Sequence, residues 1–226
     1  AVPSQDMILG TYYLTVVRED TREKAKTFAT YDEVMLAYEA GIIGLQDILY
    51  IRMPEYGRVE TTAGRLIFNN ALFPELWQYA QKEDGTYSLG KVMDKKTVGK
   101  LVDQCFQLFG NEKTAELLDR IKSLGYSFAR RAGMTVAIAD IKVPEVKFEL
   151  LDTAEQEVEK VSRMYRRGLI TEEERYRKTI QLWTKATEDV TEAMMDNMAR
   201  DKDGFNPVYM MAISGARGNK QQIRQL

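Results

Sequence analysis

The sequence has no histidine and only one cysteine among its 226 residues. Without histidine, the chain lacks the commonest side-chain metal ligand and the usual general base at neutral pH. A nucleophilic site of the Ser-His or Cys-His type therefore cannot form within it. The single Cys105 cannot make an internal disulfide, which suits a reducing compartment. Because Cys105 shares the apolar face of a helical pattern, we expect a buried core thiol rather than a reactive one.

A strong net charge and a long apolar run are also missing. The 32 Lys and Arg residues nearly balance the 34 Asp and Glu residues, which leaves a net charge of −2. No global basic field attracts nucleic acid, so a role with DNA or RNA must be local or supplied by neighbouring chains. No apolar run is long enough to span a bilayer and no signal peptide opens the chain, so we expect no membrane partner. The apolar content of 44% is ordinary for a globular core, in one large domain or two small ones.

Helical patterns dominate what is present. We predict a mainly α fold with a small β-hairpin (α+β), in which a long antiparallel helical hairpin projects from a helical body. The β-hairpin is predicted at residues 47–53 and 57–62, which are rich in β-branched and aromatic residues and flank Pro54-Glu-Tyr-Gly57. The predicted connections are residues 18–30 on the surface, 74–96 as loop and irregular structure, and 136–143 as a strand or an extended segment.

Capping and breaking residues predict where the other helices begin and end. Ser4 is the predicted N-cap of the first helix, and Thr62 is the predicted N-cap of a later one. Glycines are expected to end helices, because they adopt the left-handed backbone conformation without strain. The predicted helices are residues 31–40 ending at Gly41, 97–109 ending at Gly110, and 112–131 interrupted or ended near Gly125.

Residues 152–200 contain two heptad patterns, which predict an antiparallel helical hairpin. Gly168 ends its first helix, and Thr171 with Glu174 forms a capping box that starts the second. The tip is strongly charged, and it is either a solvated loop, as most charged tips are, or a docking knob. The tip residues are Arg166, Arg167, Glu172, Glu173 and Glu174. The predicted seam residues are Ala154, Val158, Val161 and Tyr165 on the first helix, and Tyr176, Ile180, Trp183, Thr187, Val190 and Met194 on the second.

The run Ser214-Gly-Ala-Arg-Gly218 surrounds one arginine with small residues, and a helical pattern follows from Asn219. The glycines let backbone amides approach a ligand, and the fork of donors on Arg217 suits phosphate. The run could therefore bind a polyphosphate, although on these residues alone a glycine turn with a solvated arginine is favoured. The P-loop pattern is absent.

Several motifs occur in a fixed order along the chain. They are Pro3-Ser-Gln-Asp6, Thr61-Thr-Ala-Gly-Arg65, Leu118-Asp-Arg-Ile-Lys122, Gly168-Leu-Ile-Thr171 and the long run 209–226 that contains Ser214-Gly-Ala-Arg-Gly218. Together they resemble the largest catalytic subunit (β′) of bacterial DNA-directed RNA polymerases. The family usually has Asp where this chain has Ile213, which puts the local hydrogen bonding there in question.

The resemblance implies an internal fragment of β′, with both ends cut, that covers the pore and funnel up to just before the bridge helix. The family's metal loop, Asn-Ala-Asp-Phe-Asp-Gly-Asp, is absent, so no catalytic residue and no metal site is expected here. Magnesium belongs to the whole nucleotidyltransferase, and the isolated chain is expected to be inactive. The regions implied are residues 1–145 for the pore, 146–204 for the rim helices, and 205–226 for the segment before the bridge helix.

The resemblance also implies roles for particular residues. Arg217, Arg224 and Gln5 are expected to bind the phosphates of nucleoside triphosphates along the secondary channel. Arg224 lies seven residues after Arg217, so a continuous helix would put both on about the same face. The charged tip is expected to receive transcription factors of the Gre type. The other implied partners are the β, α and ω subunits, the rest of β′, and DNA and RNA, in a cytoplasmic, nucleoid-associated enzyme.

A different class of function also fits the helical hairpin. A stand-alone interaction or adaptor module would use the hairpin to bind a partner protein and would need no catalytic residues. This alternative leaves the Ser214-Gly-Ala-Arg-Gly218 run without a role.

Overall fold

A computed structural model of the chain describes residues 2–83 and 85–225. Helices make up most of these residues and one small sheet the rest of the regular structure, which confirms the predicted fold class. Ala1 and Leu226, the outer limits of the predicted regions, lie outside the described residues. The helices are α1 (Asp6–Thr15), α2 (Tyr31–Glu39), α3 (Ala63–Asn70), α4 (Lys95–Ala132), α5 (Lys147–Arg166), α6 (Glu172–Arg200), α7 (Pro207–Ile213) and α8 (Lys220–Gln225). The strands are β1 (Lys26–Phe28), β2 (Ile48–Met53), β3 (Gly57–Thr62), β4 (Tyr79–Gln81) and β5 (Tyr87–Leu89).

The described residues form two compact units. The first unit contains residues 2–135, apart from residue 84, together with 210–219. The second contains residues 136–209 together with 220–225. None of the described helices is long and apolar enough to cross a membrane.

The sheet of the first unit is built around the predicted β-hairpin. Strands β2 and β3 pair antiparallel, from Ile48 opposite Thr62 to Met53 opposite Gly57, which confirms that prediction. Gly57 has a φ of 65°, a left-handed conformation that glycine adopts without strain. The strand order is β1-β2-β3-β5-β4 among the described residues. Three of these strands lie in segments predicted as connections, because a three-residue strand is too short to show alternation.

Helix α1 is the central helix of the first unit and packs mainly against α4. It is buried on nearly all sides, with Ile8 and Leu14 fully inaccessible. Cys105 of α4 belongs to the same core, which confirms the predicted buried thiol. The predicted Ser4 cap is wrong, because the N-cap residue is Gln5 and no side chain caps the helix.

Two glycines permit the close crossing of α1 and α4. A Cβ atom on Gly10 would lie 1.8 Å from the carbonyl oxygen of Gly125, and one on Gly125 would lie 2.5 Å from that of Met7. Gly125 therefore serves a backbone contact and neither ends nor interrupts α4, contrary to the sequence prediction. The predicted break at Gly110 is confirmed by a φ of 73° and a ψ of −167° within α4.

Helices α5 and α6 form the predicted antiparallel hairpin in the second unit. Gly168 ends the first arm with a φ of 70°. The capping box is confirmed, since Thr171 Oγ1 accepts from the Glu174 amide at 3.2 Å and Glu174 Oε2 accepts from the Thr171 amide at 2.9 Å.

The predicted seam of α6 is wrong near the tip. Tyr176, Ile180 and Trp183 are 61%, 46% and 37% exposed, whereas Ala186 is only 6% exposed. Near the tip, the less exposed row of α6 is displaced by one residue from the predicted one and includes the small Ala186, as α5 buries Ala154. Further from the tip, the predicted seam residue Met194 is buried. The heptad pattern predicts the wrong row here because the larger apolar side chains Tyr176, Ile180 and Trp183 lie on the exposed side of α6.

A polar cluster lies at the base of the hairpin, where a strand was one of the predicted options. Residues 138–140 instead form a single 3-10 turn that ends at Asp140, which is 4% exposed. The carboxylate of Asp140 accepts from the Ala137 amide at 2.8 Å and pairs with Lys202. Asn206 Nδ2 donates to the Asp140 carbonyl at 2.8 Å and to Asp201 at 2.9 Å, which connects the turn to the end of α6.

Candidate functional site

Arg217 lies in a tight turn that directly follows α7. Gly215 and Gly218 both have left-handed φ values, 71° and 74°, which a side chain would strain. The Arg217 amide donates to the Met211 carbonyl at 3.1 Å, so the chain turns back along α7. The two glycines of the motif are thus explained by the turn that presents this arginine.

The backbone of this turn is fastened to the first unit. The Ser214 carbonyl accepts from the Lys95 amide at 2.9 Å, at the beginning of α4. Ser214 Oγ accepts from the Ala216 amide at 3.3 Å, and the Ala216 side chain belongs to the main core cluster. Arg217 therefore projects from an anchored backbone rather than from a free loop.

The guanidinium of Arg217 is held along one edge by Asp6, the first residue of α1. Nε and Nη2 both donate to Asp6 Oδ1, at 3.2 and 3.0 Å. No hydrogen bond from Nη1 occurs among the residues described. The side chains of Arg217 and Asp6 are 51% and 45% exposed, so the pair contributes only about 0–1 kcal/mol to stability. The free end of the fork is open to solvent and to an anion.

Gln5 directly precedes Asp6, so two of the sequence-predicted positions come together here. Gln5 has a φ of 48° and a ψ of −124°, one of three non-glycine residues with positive φ in the described chain. Such a conformation costs about 1–3 kcal/mol and persists only where its surroundings enforce it. The structure thus places Gln5 one residue from the carboxylate that holds Arg217.

Arg224 occupies a different setting. Residues 214–219 are not helical and α8 begins only at Lys220, so the expected common helical face with Arg217 does not form. Arg224 belongs to the second unit, where it lines a surface depression with Ile180, Trp183 and Thr187 of α6.

The charges at the hairpin tip pair within α6 rather than across the tip loop. Glu172 forms an ion pair with Arg175 on its own helix, and Arg175 also lies 5.5 Å from the ring of Tyr165. The hydrogen bond and the positive charge of Arg175, helped by a hydrogen bond from Tyr165, hold the pKa of the Glu172 carboxyl below its usual range. Among the described residues, neither Arg166 nor Arg167 forms an ion pair with the glutamates. Arg175 is not among the residues predicted for the tip, although its spacing of three from Glu172 is typical of an ion pair on a helix.

The tip leaves an exposed apolar row beside these charges. The row consists of Tyr176, Ile180 and Trp183, which lie outside the buried seam of the hairpin. Leu169 in the tip loop is also 65% exposed. Apolar side chains flanked by charges are typical of protein docking surfaces.

The chain matches two family models. The model described as RNA polymerase Rpb1, domain 3, matches residues 1–141. The model described as RNA polymerase Rpb1, domain 4, matches residues 170–226. The chain belongs to the RNA polymerase Rpb1 family. The motifs that resemble β′ thus identified the family correctly.

Curated relatives match this Rpb1 chain over its whole length. DNA-directed RNA polymerase subunit beta′ of Pelotomaculum thermopropionicum is 50% identical over 226 residues. The subunits of Desulforudis audaxviator and Heliobacterium modesticaldum are 48% and 46% identical. All of this chain is covered in each case, but only 18% of the first two relatives and 20% of the third. The chain therefore spans about a fifth of the length of these relatives.

No group of three or more Asp, Glu or Cys side chains that could hold a metal ion occurs among residues 2–83 and 85–225. The described residues therefore do not fit the catalytic magnesium of a polymerase.

Proposed function

We propose that this chain lines the secondary channel of a bacterial-type RNA polymerase, where Arg217 binds the triphosphate of the incoming nucleotide. The anchored turn with its half-exposed guanidinium is the observation that supports this role. Charge-assisted hydrogen bonds from arginine to phosphate are short and strong. They strengthen as the departing pyrophosphate gains charge, which stabilises the transition state of nucleotide addition.

The rest of the enzyme supplies the remaining chemistry in this proposal. The aspartates that bind magnesium lie in parts of β′ outside this chain, and the β, α and ω subunits complete the polymerase. DNA and RNA are contacted only in that assembly, because the net charge of −2 gives this chain no general attraction for them. Gln5 lies beside the pair of Asp6 and Arg217 and is proposed to face the same nucleotide.

Substitution of Arg217 in the assembled polymerase tests the nucleotide role. Arg217→Ala is expected to reduce kcat/KM for nucleotide addition about 10- to 100-fold, since a hydrogen bond to a charged group contributes about 1.5–3 kcal/mol. Arg217→Lys keeps the positive charge but loses the planar guanidinium, so its kcat/KM should lie between that of the parent enzyme and that of Arg217→Ala. Arg52→Ala, at an exposed arginine of β2, is the matched control. Unchanged kinetics of Arg217→Ala with all four nucleotides would rule the role out.

The hairpin tip is proposed to dock coiled-coil factors of the Gre type. The exposed apolar row and the flanking charges support a protein partner. Because Glu174 caps α6 and Glu172 pairs with Arg175, reversing all three glutamates would also disturb the fold of the tip. Glu173 has neither of these contacts, which makes Glu173→Lys the cleaner variant.

A binding titration of the assembled polymerase against a Gre-type factor tests the docking. We expect Glu173→Lys and Trp183→Ala each to weaken binding several-fold, with Asp119→Lys on α4 as the control. Binding that neither variant changes would exclude this face of the hairpin. The Rpb1 matches along the chain favour the polymerase over a stand-alone adaptor. In an adaptor, the same two substitutions would weaken binding of the partner protein, but Arg217→Ala would have no effect on nucleotide addition.

A further inference from the structure

Asp6 is the only side chain with a hydrogen bond to the Arg217 guanidinium among the described residues. The two residues are 211 positions apart in the sequence, so the pair exists only because the fold brings α1 to the turn after α7. Both bonds go to the same oxygen, Oδ1, and both come from the edge of the guanidinium formed by Nε and Nη2. Nη1 and the outer side of Nη2 are left for another acceptor.

Both residues of this pair are attached to well-packed parts of the first unit. Asp6 begins α1, whose following residues Ile8 and Leu9 are 0% and 5% exposed. Arg217 is fixed by the backbone bond between Ser214 and Lys95 and by the buried Ala216. A carboxylate on a fixed helix end and an arginine on a fixed turn can therefore define the direction of the guanidinium plane.

We propose that Asp6 is a positioning residue for the nucleotide site: it holds the Nε–Nη2 edge of Arg217 so that Nη1 points at the triphosphate. This inference rests on the proposed nucleotide role of Arg217. The arginine side chain has several rotatable bonds. If the side chain is disordered before binding, the entropy lost in ordering it weakens affinity about 2- to 10-fold. Asp6 lowers that cost in advance, because its two hydrogen bonds already restrict the Arg217 side chain before the nucleotide arrives.

A competing effect of Asp6 has the opposite sign. Its negative charge repels the triphosphate and could also keep Arg217 away from it. Exposed charges are screened by water and salt, so the repulsion is weak at this half-exposed site. Since the bonds to Asp6 use only one edge of the fork, they do not block the other edge. Positioning is therefore expected to outweigh repulsion.

Steady-state nucleotide addition by the assembled polymerase separates these effects. Asp6→Ala is expected to raise KM about 2- to 10-fold with little change in kcat, because the loss is in ordering Arg217. Asp6→Asn keeps an oxygen acceptor at the same place and should restore KM to within about 3-fold of the parent enzyme. In the Arg217→Ala background, Asp6→Ala should have no further effect.

Each alternative outcome has a distinct meaning. A lower KM in Asp6→Ala would show that Asp6 competes with the nucleotide and would overturn the positioning role. Effects of Asp6→Ala and Arg217→Ala that simply multiply would overturn it as well, because a general structural role of Asp6 does not depend on Arg217. If Arg217→Ala alone leaves KM and kcat unchanged, the proposed nucleotide role fails, and the positioning role fails with it.

Discussion

The crossing of α1 and α4 depends on two glycine residues. Gly10 and Gly125 are both in helices, where glycine is ordinarily less favourable than alanine by about 0.5–1 kcal/mol. Here the absence of a side chain lets the two backbones come into contact. A Cβ atom on Gly10 would lie only 1.8 Å from the carbonyl oxygen of Gly125. Since α1 carries Gln5 and Asp6 at its start, this crossing also fixes one side of the candidate site.

Alanine substitutions at two helical glycines are expected to have opposite effects. Gly10→Ala should lower the free energy of unfolding by about 1–3 kcal/mol or more, because the backbone of α4 cannot move aside. Gly99→Ala in α4 should raise it by about 0.5–1 kcal/mol, because a Cβ there meets nothing within 4 Å. Chemical denaturation of the chain measures both, and equal effects of the two substitutions would contradict the crossing.

The sequence could predict Arg217 but not its partner. Arg217 stands in a recognisable motif, and two flanking glycines predict a turn. Asp6 lies 211 residues away and reads as an ordinary acid in the first turn of a helix. No local pattern joins two such positions, so only the fold shows that they form one site.

At the scale of secondary structure, the hairpin of α5 and α6 shows where a heptad pattern is insufficient. The helices, Gly168 and the capping box follow from the sequence, because they depend on neighbouring residues. The seam depends on which row of α6 faces α5, and two adjacent rows both contain apolar residues. The small Ala186 lies on the buried row, while Tyr176 and Trp183 remain outside.

Two adjacent substitutions test the position of the seam. Ala186→Asp should lower the free energy of unfolding by more than about 2 kcal/mol, because it places an unpaired charge in a buried position. Thr187→Asp should change it by less than about 0.5 kcal/mol, since Thr187 is exposed. Loss of helical circular dichroism with denaturant measures the difference. A larger loss of unfolding free energy for Thr187→Asp than for Ala186→Asp would instead support the heptad seam predicted from the sequence.

The polar cluster at the hairpin base should make stability depend on pH. The Lys202 ammonium, helped by the Ala137 amide, holds the pKa of the Asp140 carboxyl below its ordinary value. A carboxyl with a lowered pKa in the folded state stabilises the protein above its unfolded pKa, about 3.9, and this stabilisation is lost as the pH falls through the lower folded value. Asp140→Asn should therefore flatten the loss of stability below about pH 4.

Unfolding of the parent chain and two variants between about pH 2 and pH 6 checks this expectation. Asp119→Asn is the control, because its carboxylate is 74% exposed and pairs only with Lys122 on the same helix. The control should keep the acid-dependent loss of stability. An equally steep loss of stability in Asp140→Asn would show that the Asp140 carboxylate does not cause the acid-dependent loss of stability.

The small strands mark the limit of sequence interpretation at this scale. Strands β2 and β3 are six residues long, so their composition and the turn at Gly57 predict them well. Strands β1, β4 and β5 contain three residues each, too few to show a pattern of their own. Strands β1 and β5 pair with the two edges of the hairpin, and β4 pairs with β5. The prediction that Gly125 ends or interrupts a helix is wrong for a related reason, since its role lies in the contact with α1 and not in its own helix.

At the scale of the whole molecule, the chain holds two compact units within one stretch of an Rpb1-family subunit. The first unit contains the pair of Asp6 and Arg217, and the second contains the hairpin with its exposed apolar row. The proposed nucleotide role therefore belongs to the first unit and the proposed docking role to the second.

The isolated chain is expected to add no nucleotide to a primed template, with or without added magnesium. The reason is that the aspartate-rich metal loop of the family does not occur in its sequence. Extension of a labelled RNA primer measures this directly, with the assembled polymerase as the positive control. Measurable extension by the isolated chain would contradict the division of roles proposed here.

The most direct test of the central claim is a structure of the assembled polymerase with an incoming nucleotide bound. We predict Nη1 of Arg217 at about 2.7–2.9 Å from a phosphate oxygen, with Nε and Nη2 still bound to Asp6. Phosphate oxygens beyond the reach of Arg217, or a guanidinium that points away from the triphosphate, would contradict the claim.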